Sequence, residues 1–343
     1  MKGTIVITGG NGFVGKHLVK ELANEWPEAK LVVWDRTING LPEGVQGTEV
    51  DITKPESYRL KLAEGQPKWI VHLAAIAPIP VAMKDPGLTR RVNVDATRDL
   101  LQLVREAAGD TRVLAISSSD IYGSTTFAPS SLIQSAMARN RSGVLSAEEL
   151  GEKSTPLPEL GLDEAKPTNP YAASKLAMEE IIERDFNDLV IRARPFPHIG
   201  PGQGRGFVTA DFASQIAAAE RGLQRPVIRV GNLDTRRDFT DVRDVVRAYR
   251  LLMEKGQMGE VYHVASEKAV QIREVLDKLV SMVNIKLEIV QDQEKVRKSD
   301  AKVLAGSAKK LRDRTGWEAK ISLDRSLGDI LSYWREVLKD ENI

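Results

Sequence analysis

In NPYAASKLAMEE, Tyr171 and Lys175 stand four residues apart at the start of a helical pattern, which puts both side chains on one face. An ammonium beside a phenol favours the phenolate, and so brings a tyrosine of ordinary pKa, about 10, toward acid–base work near neutrality. Ser118, in SSSDIYG after an aliphatic run, is placed to donate to the same substrate oxygen. YxxxK also arises by chance on amphipathic helices. A Ser-rich strand end and a glycine turn upstream lift this instance above that reading. Ser118, Tyr171 and Lys175 are therefore the candidate catalytic residues.

Such a set needs a rigid scaffold, and the first residues describe one. TIVITGGNGFVGKHL places Gly9, Gly12 and Gly15 between a strand and a helix, with Phe13 and Val14 inside the turn. A tight turn, close approach of backbone to a pyrophosphate and helix-on-sheet packing each favour glycine, so the turn predicts a dinucleotide site. Glycine turns also serve packing alone. Asp35 closes VVWDR 20 residues past Gly15, where a carboxylate accepts from both adenosine ribose hydroxyls and favours NAD(H). Arg36 beside it could neutralise a 2′-phosphate and admit NADP(H). The bland alternative makes Asp35 a turn cap and Arg36 a solvated charge. Asp51 and Ile52 in EVDIT fit the adenine edge. HLAAIA, with Leu73, Ala74, Ala75 and Ala77, offers small side chains near ribose and phosphates. His72, His17 and His263 read as core histidines.

Runs at 3–8, 30–34, 69–75, 112–118 and 189–195 are aliphatic and β-branched, and read as buried strands. Helical patterns at 15–26, 93–108 and 171–186 lie between them. The alternation predicts the α/β class: a Rossmann-type doubly wound parallel sheet with a smaller C-terminal α/β substrate lobe. Residues 1–195, plus about 238–265, form the dinucleotide domain, with an insertion at 124–166 that carries loops and a short helix around SAEELGEK. Residues 196–237 and 266–343 form the other lobe.

Composition narrows the partners. Lys plus Arg (49) nearly balances Asp plus Glu (48) over 343 residues, so no field steers the chain to nucleic acid or an anionic membrane. No cysteine is present, which removes disulfides, thiolate nucleophiles and Cys-based metal sites. No metal site is expected, and no run approaches a membrane span. A soluble, cytoplasmic protein is the expectation.

TGGNGFVG, HLAA, NVDATRDLL, SSSDIYG, YAASK and RPFPHIGPGQ together resemble the extended short-chain dehydrogenase/reductase family, the NAD-dependent epimerases and dehydratases that act on nucleotide sugars. The downstream stretches VGNLDTRRDFTDVRDVVRAY and LRDRTGWEAKISLDRSLGDILSYWRE extend the resemblance almost end to end. It implies reduction of the C4 ketone of GDP-4-keto-6-deoxy-mannose by NAD(P)H, with Ser118, Tyr171 and Lys175 doing the chemistry. It adds Asn93, Ser117, Pro195 and His198 to the cofactor contacts, His198 with an equally good structural alternative. It further implies substrate contacts at Ser119, Asp120 and Val208, diphosphate contacts at Arg237 and Arg297, and a nucleotide ribose contact at Asp300. Arg236 and Lys298 read as surface charges. Two departures stand out: Pro197 where the family carries Asn, and the length of the 124–166 insertion. A homodimer is implied by analogy. The rival readings are a 4,6-dehydratase, for which Asp120 stands where those enzymes place a glutamate, a 4-epimerase, and a non-catalytic dinucleotide sensor.

Overall fold

The computed structural model describes residues 1–123, 156–295 and 303–340. Its centre is a seven-stranded parallel sheet. In chain order the strands are β1 (Gly3–Thr8), β2 (Ala29–Asp35), β3 (Gln46–Glu49), β4 (Trp69–His72), β5 (Arg112–Ile116), β6 (Val190–Pro195) and the outermost strand Val261–Val264. Across the sheet they run β3, β2, β1, β4, β5, β6, Val261–Val264, every neighbour parallel. The order reverses between β1 and β4, which opens a crevice at the carboxyl ends of those strands.

Residues of one strand alternate between two cores. Ile5, Ile7, Leu31, Val33 and Val71 pack under the helices Phe13–Glu25 and Val242–Lys255. Val6, Val32, Trp34 and Ile70 face the opposite side, under the helices Ala96–Ala107 and Pro170–Asp185. Strands covered on both faces read as unbroken aliphatic runs, which is why β1, β2, β5 and β6 are visible in the sequence. β3 is not: QGTE is an exposed edge strand with no apolar signal.

A third core joins the helices Val208–Glu220, Ile272–Ser281 and Leu323–Asp340 to the strand Val227–Val230. Ala308, Leu311 and Trp317 instead return to the first core. Acids of RRDFTDVRD tie these parts together. The Asp238 carboxylate, fully buried, accepts from the backbone of Ser266 (2.8 Å), Glu267 (2.9 Å) and Gly306 (3.3 Å). Asp241 caps its helix at Arg243 N (2.8 Å) and accepts from the Ser326 hydroxyl. Asp244 accepts from the amides of Lys320 (2.7 Å) and Ile321 (2.8 Å) and pairs with Arg247. Of the 124–166 insertion, residues 124–155, including SAEELGEK, lie outside the described residues. Leu157 forms a β-bridge to Gly306.

Candidate active site

A cleft of about 1170 Å³ lies over the carboxyl ends of the strands. The glycine turn forms one wall. Gly9 adopts φ +68°, and a Cβ there would lie 2.8 Å from the Ala74 nitrogen, so the crossing of β1 and the loop after β4 admits only glycine. Gly15 lets the helix meet the turn, since its Cβ would fall 2.5 Å from the Gly9 carbonyl. Gly12 caps the Phe13–Glu25 helix without a side-chain bond, and the first turn carries no acid. The free N–H groups of that turn suit a pyrophosphate, and this is the observation by which the residues fit a dinucleotide.

At the end of β2 the Asp35 carboxylate is fixed by two amides, Asn11 N at 2.9 Å and Arg36 N at 2.8 Å. Arg36 is exposed beside it. The Thr53 hydroxyl holds the Asp51 carboxyl below the usual carboxylate range. Phe13, Val14, Ile52, Leu73, Ala74, Ala75 and Ala77 line the same wall, and Pro195 and His198 the floor. His198 stacks on Phe13 with 6.2 Å between ring centres. His72 is a core residue: Thr8 (2.8 Å) and Thr97 (2.9 Å) bond its two ring nitrogens, and burial pushes it down to about 3.

β5 delivers SSSDIYG to the opposite wall. Ser118 caps a tight turn, Ser119–Tyr122, its hydroxyl accepting from Asp120 N at 3.1 Å. The Pro170–Asp185 helix, capped by the Asn169 side chain on Ala172 N, brings Tyr171 and Lys175 to the same place. Ser118 and Tyr171 line the same cleft. Lys175 is buried and donates to the Ile116 carbonyl at 2.6 Å. Burial pulls its ammonium down to about 8, against the opposing pull of Glu179. Sequence reasoning cast Lys175 as lowering the phenol. Here Tyr171 is pushed above its ordinary value, first by burial and then by the charge of Asp120. A phenol so placed favours its protonated form. Ser117 and Ser119 also line the cleft, and their buried hydroxyls have no partner among the described residues.

Asn93, expected at the cofactor, is not among the residues that line the cleft. It is buried in a π-helical turn, Arg91–Asp95, where its carbonyl accepts from Ile76 N (2.8 Å) and its amide donates to Ile76 O (3.1 Å) and Ser174 Oγ (2.9 Å). It ties the loop after β4 to the catalytic helix. Val208 and Arg237 line the far end of the cleft, and Arg237 also donates to the Arg236 carbonyl at 2.8 Å. Arg297 and Asp300 lie outside the described residues. Tyr249, a cleft residue with a buried hydroxyl, was missed because its spacing reads as one more apolar position on the Val242–Lys255 helix. Glu179 was missed too, although it continues the Tyr171–Lys175 face by one turn.

The pattern of the NAD dependent epimerase/dehydratase family matches residues 5–265. The chain is 36% identical to the GDP-6-deoxy-D-mannose reductase of Pseudomonas aeruginosa, over 98% of this chain and 99% of that one. It is 26% identical to the GDP-6-deoxy-D-talose 4-dehydrogenase of Aggregatibacter actinomycetemcomitans, over 94% of this chain and 95% of the other. Among solved structures, RMD from Pseudomonas aeruginosa complexed with NADPH superposes with a TM-score of 0.74 at 33% identity, covering 98% of this chain and all (100%) of its own.

Proposed function

The chain belongs to the NAD dependent epimerase/dehydratase family, and we propose that it is a nucleotide-sugar reductase acting on the C4 ketone of GDP-4-keto-6-deoxy-mannose. The observation that carries this reading is that Ser118, Tyr171 and Lys175 line one cleft with the glycine turn of Gly9, Gly12 and Gly15. The full-length likeness to the Pseudomonas reductase supports the choice of sugar and nucleotide.

Gly9, Gly12, Gly15 and Asp35 would hold a reduced nicotinamide dinucleotide, which would supply the hydride. This chain's residues do the rest. Ser118 donates to the ketone oxygen, where charge gathers as hydride arrives at C4, and a fixed donor at that point is worth about 100-fold in rate. Tyr171 then gives its proton to that oxygen and leaves an alcohol. Lys175, held on Ile116, stabilises the phenolate left behind and would also hold the nicotinamide ribose. Asp35 supports NAD(H), and exposed Arg36 leaves room for NADP(H). Arg237 takes the diphosphate, together with Arg297, and Asp300 takes the ribose. In this reading residues 1–195 with about 238–265 hold the cofactor, residues 196–237 and 266–343 hold the nucleotide sugar, and the protein works as a cytoplasmic homodimer.

Purified protein is mixed with GDP-4-keto-6-deoxy-mannose and NADH or NADPH. Loss of the cofactor's absorbance and formation of a GDP-6-deoxyhexose are expected, and no turnover with either cofactor refutes the reading. The Asp120 carboxylate close to Tyr171 favours one rival, a 4,6-dehydratase. That enzyme would convert GDP-mannose to the 4-keto-6-deoxy sugar with no added cofactor.

A further inference from the structure

Behind the reacting face of the Pro170–Asp185 helix runs a buried polar chain that the reduction itself does not use. Glu179 and Arg194, with side chains 0% and 1% exposed, pair through two bonds: Nε to Oε1 at 2.8 Å and Nη2 to Oε2 at 2.9 Å. The same guanidinium donates through Nη1 to the Tyr122 hydroxyl at 2.6 Å and to the Leu160 carbonyl at 2.8 Å. His263 continues the chain. Its Nδ1 faces the Leu157 carbonyl at 3.1 Å and must carry the proton, which leaves Nε2 to accept from the Tyr122 hydroxyl at 2.6 Å. Burial drives His263 down to about 3, so this single-proton form persists across working pH.

The two ends of this chain matter. Tyr122 closes the tight turn that Ser118 caps. Glu179 lies two turns beyond Tyr171 on the same helix. An ion pair buried this completely is weak evidence for added stability, because apolar residues of the same volume often serve as well. What a bidentate guanidinium supplies, and a point charge does not, is fixed geometry in two directions at once. We propose that Arg194 is a positioning residue for the reduction, bracing the Ser118 turn against the helix of Tyr171 so that both hydroxyls reach one substrate oxygen. The inference rests on Ser118 and Tyr171 carrying the reaction.

Tyr122→Phe keeps the ring and deletes the hydroxyl that Arg194 holds. In the wild-type background kcat falls about tenfold, with KM for the cofactor unchanged, as a misplacement of well under 1 Å would cause. In a Ser118→Ala background the same substitution costs less than about twofold, because the Ser118 hydroxyl that the braced turn aligns is already gone. Equal losses in both backgrounds overturn the brace and leave the catalytic assignment standing. Wild-type turnover by Ser118→Ala alone overturns that assignment instead. Arg194→Lys, which keeps the charge and loses the fork, runs the same cycle should Tyr122→Phe fail to fold.

Discussion

Lys175 Nζ sits 2.6 Å from the carbonyl oxygen of Ile116, which locks the Pro170–Asp185 helix to the end of β5. Burial there has a thermodynamic sign. The folded pKa, about 8, lies below the unfolded 10.5, so this group's contribution to stability is present above 10.5 and lost as pH falls through 8. Lys175→Met should therefore abolish turnover while flattening the dependence of the urea midpoint on pH between those values. A parallel dependence in wild type and variant would refute the burial argument.

Tyr171→Phe removes the acid and leaves the ring packed. Turnover should drop by about 100-fold or more, with cofactor affinity unchanged by titration calorimetry. Near-wild-type activity would remove Tyr171 from the mechanism.

Asp120→Asn takes away the charge that raises the Tyr171 phenol. A lower phenol pKa exhausts the acid sooner, so the alkaline decline of reduction should move to lower pH, while turnover at neutral pH stays within about tenfold of wild type. An unmoved alkaline limb, or total loss at neutral pH, would give Asp120 a different role.

Asp35→Ala should lower kcat/KM for NADH about tenfold more than for NADPH, because the carboxylate's charge-assisted bonds to ribose serve only the unphosphorylated cofactor. Equal losses with both cofactors would make Asp35 a turn residue only, through its bonds to Asn11 and Arg36.

Asp244→Ala leaves the amides of Lys320 and Ile321 and the Arg247 guanidinium without their acceptor. A loss of about 2–4 kcal/mol in urea unfolding is expected, with no change in cofactor affinity. A loss below about 0.5 kcal/mol, the range of an ordinary surface substitution, would contradict this.

What the sequence disclosed follows from where the signal is local. β1, β2, β5 and β6 announce themselves by aliphatic runs, and the glycine turn and Tyr171/Lys175 by short fixed spacings. β3 stayed hidden because an edge strand of QGTE has no buried face to encode. The roles of Asn93, Arg194 and Asp244 were illegible for a different reason. Each is defined by partners far along the chain: Ser174 for Asn93, Tyr122 for Arg194 and Lys320 for Asp244. The role of a polar residue at such a position shows only when the fold brings its partners to it. Spacing likewise reveals Lys175 near Tyr171 but not the burial that raises the phenol.

The Asn93 amide has a bearing on redesign. One side chain accepts from Ile76, donates to Ile76 and donates to Ser174. Aspartate lacks the donor, and glutamine, a methylene longer, would carry its amide away from these partners. A cofactor loop exchanged from another enzyme would thus arrive without its fastening unless the Arg91–Asp95 turn and the first turns of the catalytic helix came with it. The transplantable unit is three segments, and each contributes a residue to the cleft: Ile76, Val92 and Tyr171.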